Sequence, residues 1–510
     1  MRRYKSINCL YIPALAFLYL GAAALVYGAK NEDKAGIDVK LAGVLRSAGF
    51  TGTVESTLEP RLGRKISPDL ADLGRLLWFD KLPALFHDNA CGGCHSPTNG
   101  FGDTQSIAIG IQNNNVVGPG RRGPRNKRRA PLVINAAFYP SLMWNGRFRA
   151  ASRNPFDNGS GFQFPPPEGT TRFPPRDPVI THLLQAQAHI PPTELVETVG
   201  LRGTCPTLGE MYCQFDVEHT HERIQAEIVP PPDPSDRYRN EPIRTKVVDL
   251  LNASEAYRSL FARVFPAVKG GGRIEFSMFA RAVAEFEFTL VFADAPIDQF
   301  ARGRTDAMTA AQKRGALLFF GKARCVTCHA VAGTSNEMFS DFDYHVVGVP
   351  QIAPFFGPGK GNLILDGEGE DEDFGREHTT LDPQDRYKFR TAPLRNVARS
   401  AAFFHNGAFT RLEDAIRHHL DVGASARRYN ARAAGVDDDL TLRLGPIEPV
   451  LERVDPRLRS PIGLTPLEFG DLVTFVRDGL LDQRTNRETL CKLVPRSLAS
   501  GLPPLLFEGC

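Results

Sequence analysis

The stretch Cys-Gly-Gly-Cys-His at residues 91–95 has the same pattern as Cys-Val-Thr-Cys-His at residues 325–329. In this pattern two thiols can bond to the vinyl groups of one haem while the adjacent histidine reaches the iron. Structural zinc is the alternative for clustered cysteine and histidine, but two complete copies of the pattern favour haem. The sequence therefore predicts two c-type haems, with thioether bonds at Cys91, Cys94, Cys325 and Cys328 and proximal iron ligands at His95 and His329.

A similar helix precedes each motif. Ser67-Pro68 is typical of a helix start, and residues 73–79 then read Leu-Gly-Arg-Leu-Leu-Trp-Phe. The second copy begins near Thr309, and residues 314–320 read Arg-Gly-Ala-Leu-Leu-Phe-Phe. This weak repeat predicts a mainly α fold with two cytochrome-c-like haem domains.

The rest of the chain divides around these two units. With 46 glycines and 39 prolines, it is expected to have long loops, above all in the Pro-rich region at 162–178. Helical spacing of apolar residues predicts core helices near 275–292 and at 412–420. The predicted organisation is a targeting segment at 1–29, an N-terminal haem domain at 40–303, a C-terminal haem domain at 304–485 and a tail at 486–510.

The N-terminus has the pattern of an export signal. A basic start, Met-Arg-Arg-Tyr-Lys, precedes an apolar run from about Cys9 to Ala29. The run is long enough to span a bilayer, so cleavage and retention as an inner-membrane anchor are both open. Either way the sequence predicts a periplasmic location. The formal net charge of +3 gives no reason to expect nucleic-acid binding.

Four cysteines remain in the exported part of the chain. Their even number indicates disulfides, and the local pairings are Cys205 with Cys213 and Cys491 with Cys510. Free buried thiols are the alternative. A basic run at 121–129 and an acidic run at 366–373 are interpreted as solvated loops.

Longer stretches resemble the bacterial di-haem cytochrome c peroxidases and the related MauG enzymes. The matching stretches are Leu-Leu-Trp-Phe-Asp at 76–80, Ala-Pro-Leu-Val-Ile-Asn-Ala-Ala-Phe at 130–138, Met-Trp-Asn-Gly-Arg at 143–147, Phe-Arg-Thr-Ala-Pro-Leu-Arg-Asn-Val-Ala at 389–398 and Phe-Phe-His-Asn-Gly at 403–407. The resemblance implies reduction of hydrogen peroxide at the N-terminal haem. Electrons would come from a small redox protein, of cytochrome c or cupredoxin type, through the C-terminal haem. A MauG-like oxidase that modifies a protein substrate and a non-catalytic electron carrier are the alternatives.

The resemblance also implies roles for single residues. Trp144 matches a tryptophan that lies between the haems and conducts electrons, the alternative being a core aromatic. A distal glutamate would exchange protons with peroxide, and Glu197 fits its Pro-rich context best, with Glu168 second. Either glutamate is otherwise a solvated loop carboxylate.

Calcium is the point at which this chain departs from the family. Backbone carbonyls of Thr391 and Pro393 would bind an inter-domain calcium ion together with an asparagine side chain. The sequence has Arg129 at the asparagine position, and a cation cannot ligate calcium. Calcium is therefore doubtful and is not assigned. His405 and Arg395 match family positions and are expected to be structural or to contact a haem propionate.

The second haem is expected to have a sixth protein ligand. In the family this ligand comes from a helix shortly after residues 405–407, and the position falls on His419. A shift of one residue would give His418, and Tyr429 is a further alternative.

The first haem is expected to be open at rest. The family's peroxidases carry a blocking histidine sixteen residues after the proximal histidine, and this chain has Ile111 there. Isoleucine has no lone pair to give to iron. His182 and His87 are the histidines that would otherwise have to fold back.

Overall fold

The computed structural model describes residues 36–200, 229–354 and 365–510. Most regular structure in these ranges is helical, and the strands are two or three residues long. The α-helices are α1 (residues 36–47), α2 (Leu58–Leu62), α3 (Pro68–Phe79), α4 (Cys91–Cys94), α5 (Gly169–Arg172), α6 (Leu183–Gln187), α7 (Asn240–Ala253), α8 (Glu255–Val264), α9 (Pro266–Lys269), α10 (Phe276–Thr289), α11 (Pro296–Ala301), α12 (Ala310–Phe320), α13 (Glu377–Thr380), α14 (Leu412–Leu420), α15 (Val422–Arg427), α16 (Glu448–Leu451), α17 (Pro466–Thr474) and α18 (Arg487–Cys491). The strands are β1 (Val116–Val117), β2 (Ser141–Leu142), β3 (Phe148–Ala150), β4 (Phe162–Gln163), β5 (Tyr344–His345), β6 (Phe389–Arg390) and β7 (Leu506–Phe507).

The helix before each motif begins where the sequence predicts it. The Ser67 hydroxyl accepts a hydrogen bond from the Leu70 amide at the start of α3. Thr309 caps α12 through a capping box with Gln312. The predicted helices near 275–292 and at 412–420 are confirmed as α10 and α14.

The helix that precedes each motif, α3 or α12, crosses a second helix at a glycine. A Cβ atom on Gly74 in α3 would overlap the carbonyl oxygen of Ala282 in α10. In the same way, a Cβ atom on Gly315 in α12 would overlap the carbonyl oxygen of Asp471 in α17. The internal repeat therefore extends from sequence to packing, because both helix pairs approach closely at the equivalent glycine.

Two large cores follow from these helix pairs. The first is rich in phenylalanine and includes the buried face of α10, with Phe279, Val283 and Phe286, as the sequence predicts. The second surrounds α12 and α17 and contains Phe319 and Phe475.

The N-terminal end of the described chain packs in the second core, and its C-terminal end packs in the first. Leu41 and Leu45 of α1 lie in the second core, although the predicted N-terminal domain begins at residue 40. Leu505 and Phe507 lie in the first core, and β7 pairs in parallel with β1. The predicted disulfide between Cys491 and Cys510 is confirmed. The tail is therefore part of the structure around the first motif.

The interpretation of the charged runs as solvated loops is wrong. Arg121 and Arg125 are buried. Arg125 binds Asp439 through two hydrogen bonds of 2.7 Å, and Arg128 binds the buried Asp373 of the acidic run at 2.6 and 2.7 Å. The charged side chains of these two runs are therefore largely paired with residues that lie far away in the chain.

The predicted export segment at 1–29 and the Cys205–Cys213 pairing lie outside the described residues. Among the residues that are described, no helix combines the length and the hydropathy needed to cross a bilayer.

Candidate functional site

The first motif forms the short helix α4, with His95 directly after it. Two glycines between the cysteines allow close packing there. A Cβ atom on Gly92 would lie 2.8 Å from the Phe79 ring, and one on Gly93 would overlap the side-chain oxygen of Asn89. The motif is therefore fixed between α3 and the segment that precedes α4.

The ring of His95 is held with one nitrogen free. Its Nδ1 donates to the carbonyl oxygens of Pro131 and Phe101, at 3.0 and 3.2 Å. Burial lowers the pKa of His95 to about 4, so the ring is neutral at physiological pH. Such a tautomer leaves the lone pair of Nε2 available to a metal.

A cavity of about 610 Å³ adjoins His95, Cys91 and Cys94. Its volume lies in the range of cofactor sites. Five residues lining it carry a buried side-chain polar atom that has no hydrogen-bond partner among the described residues. They are Trp78, Asn126, Arg129, Asn145 and Glu287. Buried polar groups normally have partners, so these atoms fit a bound group with polar substituents. Together with the two free thiols, they match what a c-type haem requires.

Glu197 lies in the wall of this cavity. It belongs to a π-helical turn, Leu195–Val199, that follows the Pro-rich turn at Pro191–Thr193. Burial and the nearby negative charge of Glu194 raise the pKa of Glu197 to about 7, and Arg147 opposes the shift. A carboxyl group with such a pKa can both accept and release a proton near neutrality.

The alternative glutamate has a different environment. Glu168 is buried, and its carboxylate accepts a hydrogen bond of 2.8 Å from the buried guanidinium of Arg244. A buried ion pair of this kind is a structural element, because removing one partner would leave the other charge buried without compensation. The geometry favours Glu197 over Glu168.

No second histidine lines the cavity among the described residues. Ile111 is fully buried. Both ring nitrogens of His182 are engaged, one accepting from the Leu184 amide and the other donating to the Ala137 carbonyl. His87 is half-buried and lies outside the cavity lining.

The second motif brings two histidine rings together in an edge-to-face arrangement. The ring centroids of His329 and His419 lie 6.2 Å apart. Nδ1 of His329 donates to the Phe339 carbonyl and Nδ1 of His419 donates to the Ala415 carbonyl, both at 2.9 Å. Burial lowers both pKa values, to about 4 for His329. Each neutral ring therefore keeps its Nε2 free.

The two alternatives to His419 use their polar atoms elsewhere. Nδ1 of His418 contacts the Ser425 hydroxyl at 3.1 Å, and its Nε2 donates to the Val347 carbonyl at 2.8 Å. The Tyr429 hydroxyl donates to the Ala408 carbonyl at 2.6 Å. Of the three, only His419 has a nitrogen free beside His329.

Trp144 is buried and lines the first cavity. Its indole N–H donates to the Arg129 carbonyl at 2.9 Å. Its own carbonyl accepts from the Arg390 amide at 2.7 Å, and Arg390 belongs to β6, which pairs with β5. Trp144 thus connects the first cavity to the segment around residue 390. Its role in conducting electrons stays a prediction.

The residues expected near calcium form other contacts. The Thr391 carbonyl accepts a hydrogen bond of 2.7 Å from the Ser340 hydroxyl. Arg129 is buried, and desolvation lowers its pKa to about 10, with Asp103 opposing the shift. Arg129 therefore has a guanidinium at the position expected for the calcium-binding asparagine, and we assign no calcium ion.

His405 and Arg395 are both buried. The ring of His405 stacks on Phe389 with centroids 3.5 Å apart. Arg395 binds Asp298 through two hydrogen bonds of 2.7 Å. The contact between Arg395 and Asp298 is a buried structural ion pair.

Sequence reasoning missed three residues of the first site. Glu287 lines the cavity, and burial raises its pKa to about 8. Asn89 and Arg121 lie between the first motif and the Glu197 turn. The helical spacing of Phe279, Val283 and Glu287 along α10 was a signal for Glu287, since it puts a carboxyl group on an apolar face.

Comparison with known proteins agrees with this arrangement. Residues 68–306 match the family described as di-haem cytochrome c peroxidase. The cytochrome c551 peroxidase of Pseudomonas aeruginosa is 26% identical over 373 residues, which cover 72% of this chain and 77% of that protein. Residues 68–306 therefore belong to the di-haem cytochrome c peroxidase and MauG family.

This family of oxidoreductases includes the methylamine utilization protein MauG of Methylorubrum extorquens. That protein is 25% identical over 369 residues, or 72% of this chain and 73% of its own length. Membership implies two c-type haems.

Solved structures share the fold. A MauG-like protein associated with microbial copper homeostasis matches with a TM-score of 0.51 and 20% identity, over 82% of this chain and 91% of its own. A point variant of the di-haem peroxidase BthA from Burkholderia thailandensis matches with a TM-score of 0.50 and 19% identity, over 82% of this chain and 88% of its own.

Proposed function

We propose that this protein is a peroxidase that reduces hydrogen peroxide at its first haem site with electrons that enter through its second. The observation that carries the proposal is the difference between the two sites. The first combines one free histidine nitrogen, at His95, with a cavity and a carboxyl group at Glu197. The second brings together two free histidine nitrogens, at His329 and His419. An open site suits catalysis, and a site with two protein ligands suits electron transfer.

The haems, when bound, supply the iron that takes peroxide and the path for the two electrons that reduce it. Cys91 and Cys94 would hold the first through thioether bonds, with Nε2 of His95 toward the iron. Cys325 and Cys328 would hold the second between His329 and His419. The buried Nε of Arg129, which has no partner among the described residues, would be available to a carboxylate of the first haem.

Glu197 is the proton-transfer residue of this proposal. Reduction of one peroxide breaks the O–O bond, uses two electrons and two protons and gives two waters. The Glu197 carboxylate accepts a proton from one peroxide oxygen and returns it to the other, which leaves as water. Burial and the negative charge of Glu194 keep its pKa close to the working pH.

A small redox protein is the proposed electron donor. Trp144 lies in the wall of the first cavity and is bonded to the segment around Arg390, so it is our candidate for electron transfer between the sites. The Cys491–Cys510 disulfide supports an oxidising compartment, and with the export segment we infer a periplasmic location.

A MauG-like oxidase acting on a protein substrate is the second candidate. It is favoured by the absence of a second histidine from the described cavity lining, which leaves no described histidine to block the first site at rest. Peroxide-dependent covalent change in a co-purified protein, without oxidation of a cytochrome donor, would support it over the peroxidase.

The test uses the holoprotein with reduced cytochrome c and hydrogen peroxide. A peroxidase oxidises the donor in proportion to peroxide, and Glu197→Gln lowers kcat by about a hundredfold. Glu255→Gln, an exposed glutamate on α8, is the matched control and should retain full activity. A pure electron carrier would oxidise the donor no faster with peroxide than without it.

A further inference from the structure

Asn89 connects the first motif to the turn that carries Glu197. It is 1% exposed. Its side-chain amide donates to the backbone carbonyl of Glu197 at 2.7 Å and lies 3.8 Å from the sulfur of Cys94. One asparagine therefore contacts both a haem-attachment cysteine and the backbone of the proposed proton-transfer residue.

Arg121 holds the other end of this amide. It is 2% exposed, and its Nη2 donates to the Asn89 side-chain oxygen at 2.8 Å. Its remaining hydrogen bonds go to the carbonyls of Ile109, Gly110 and Val116, at 2.7 to 3.1 Å. These bonds fix which end of the Asn89 amide faces Glu197, because a guanidinium can only donate.

Two glycines allow this contact to be close. The Gly93 position leaves room for the Asn89 side-chain oxygen, which a Cβ atom would overlap. A Cβ atom on Gly110 would overlap the Val196 carbonyl and lie 2.9 Å from Cα of Glu197. The amide of Ile111 also donates to the Val196 carbonyl, at 3.4 Å. The segment around residue 110 thus packs directly against the turn that carries Glu197.

We propose that Asn89, oriented by Arg121, is a positioning residue that sets the Glu197 carboxyl at its distance from the first haem. The inference rests on the proposed role of Glu197. An error of about 1 Å in the placement of a proton-transfer group can cost about a hundredfold in rate. A single 2.7 Å bond to the turn of Glu197 is therefore expected to matter for proton transfer more than for folding.

The test is cyanide binding to the fully oxidised holoprotein, measured by stopped-flow mixing with potassium cyanide. Hydrogen cyanide must give up its proton on binding, so the association rate reports a positioned base without any turnover. Asn89→Asp keeps the shape and the acceptor for Arg121 but has no N–H for the Glu197 carbonyl. We expect association to slow by about tenfold or more and its pH profile to change. Asn158→Ala removes two similar amide–carbonyl bonds outside the cavity lining and should leave the rate unchanged.

Three further variants make the result decisive. Gly110→Ala pushes on the Glu197 turn without a polar change and should slow cyanide in the same way. Asn89→Asp combined with Glu197→Gln should be no slower than Glu197→Gln alone, because residues acting as one unit are not additive. Wild-type kinetics in Asn89→Asp, or additive effects in the double variant, would overturn the positioning role. Unchanged cyanide kinetics in Glu197→Gln itself would instead refute the proposed role of Glu197.

Discussion

The imidazole rings of His329 and His419 lie with their centroids 6.2 Å apart and their planes inclined by 63°. An imidazole nitrogen coordinates a metal at about 2 Å, so its ring centroid lies about 3 Å from the metal. Two rings on opposite sides of one iron would have centroids about 6 Å apart. The pair is thus already spaced for bis-histidine ligation.

The neighbouring histidines of α14 provide a matched pair of variants. We expect His419→Ala to abolish the low-spin ferric EPR signal of the second haem. His418→Ala should keep that signal and lower stability by about 1–3 kcal/mol, because it leaves the Val347 carbonyl without its buried donor. A low-spin signal that survives in His419→Ala and disappears in His418→Ala would show that His418 is the sixth ligand.

The first haem should react without prior reduction. Its cavity, in the described part of the chain, has His95 as its one histidine. The fully oxidised protein should therefore show a high-spin ferric EPR signal and react with peroxide on first mixing. His87→Ala and His182→Ala should leave that signal unchanged. Two low-spin haems, or reaction only after the second haem is reduced, would contradict the open site.

The peroxide reaction should depend on pH through Glu197. Its pKa is raised to about 7, so the carboxylate that accepts a proton forms as pH rises through that value. The rate constant for peroxide should therefore rise between about pH 6 and pH 8 and then level off. Glu194→Gln removes the negative charge that raises this pKa, and the midpoint should move to lower pH. A wild-type midpoint that persists in Glu197→Gln would assign the titration to another group.

Local patterns were sufficient for much of the fold. Ser67 and Thr309 cap their helices within three residues of their partners, and the sequence shows both. His419 could be predicted as a ligand because its helix follows a recognisable stretch. These features depend on neighbours in the chain, which is the information that a single sequence carries.

Contacts between distant segments were beyond the sequence. Arg128 binds Asp373, 245 positions away, and nothing local distinguishes that arginine from a solvated one. Asn89 meets Glu197 across 108 positions. The packing of α1 in the second core and of β7 in the first is a similar case, since short amphipathic segments do not specify which core they cover.

The disulfide should stabilise the region around the first motif. It fixes β7, whose Phe507 packs against Phe79 with ring centroids 5.5 Å apart. Closure of a short loop by a disulfide contributes about 2–4 kcal/mol. Cys491→Ser with Cys510→Ser should lower Tm by several degrees, and a reductant should then have no further effect on Tm. An unchanged Tm would show that β7 is held by packing alone.

Glu287 should make stability depend on pH in a direction opposite to that of a paired carboxylate. Burial raises its folded pKa to about 8, against about 4.3 in an unfolded chain. The folded state therefore binds the proton more tightly, and stability is complete below the unfolded pKa and falls as pH rises toward 8. Glu287→Gln, which is neutral at every pH, should be more stable than wild type by about 1 kcal/mol at pH 5 and by roughly 4 kcal/mol at pH 8. Glu285→Gln is the control on the same helix, because Glu285 accepts hydrogen bonds of 2.6 and 2.7 Å from Arg64 and its loss should destabilise the protein at both pH values. Thermal unfolding followed by circular dichroism at pH 5 and pH 8 measures both variants. Equal pH dependence in wild type and Glu287→Gln would show that the pKa of this carboxyl is not raised in the folded holoprotein.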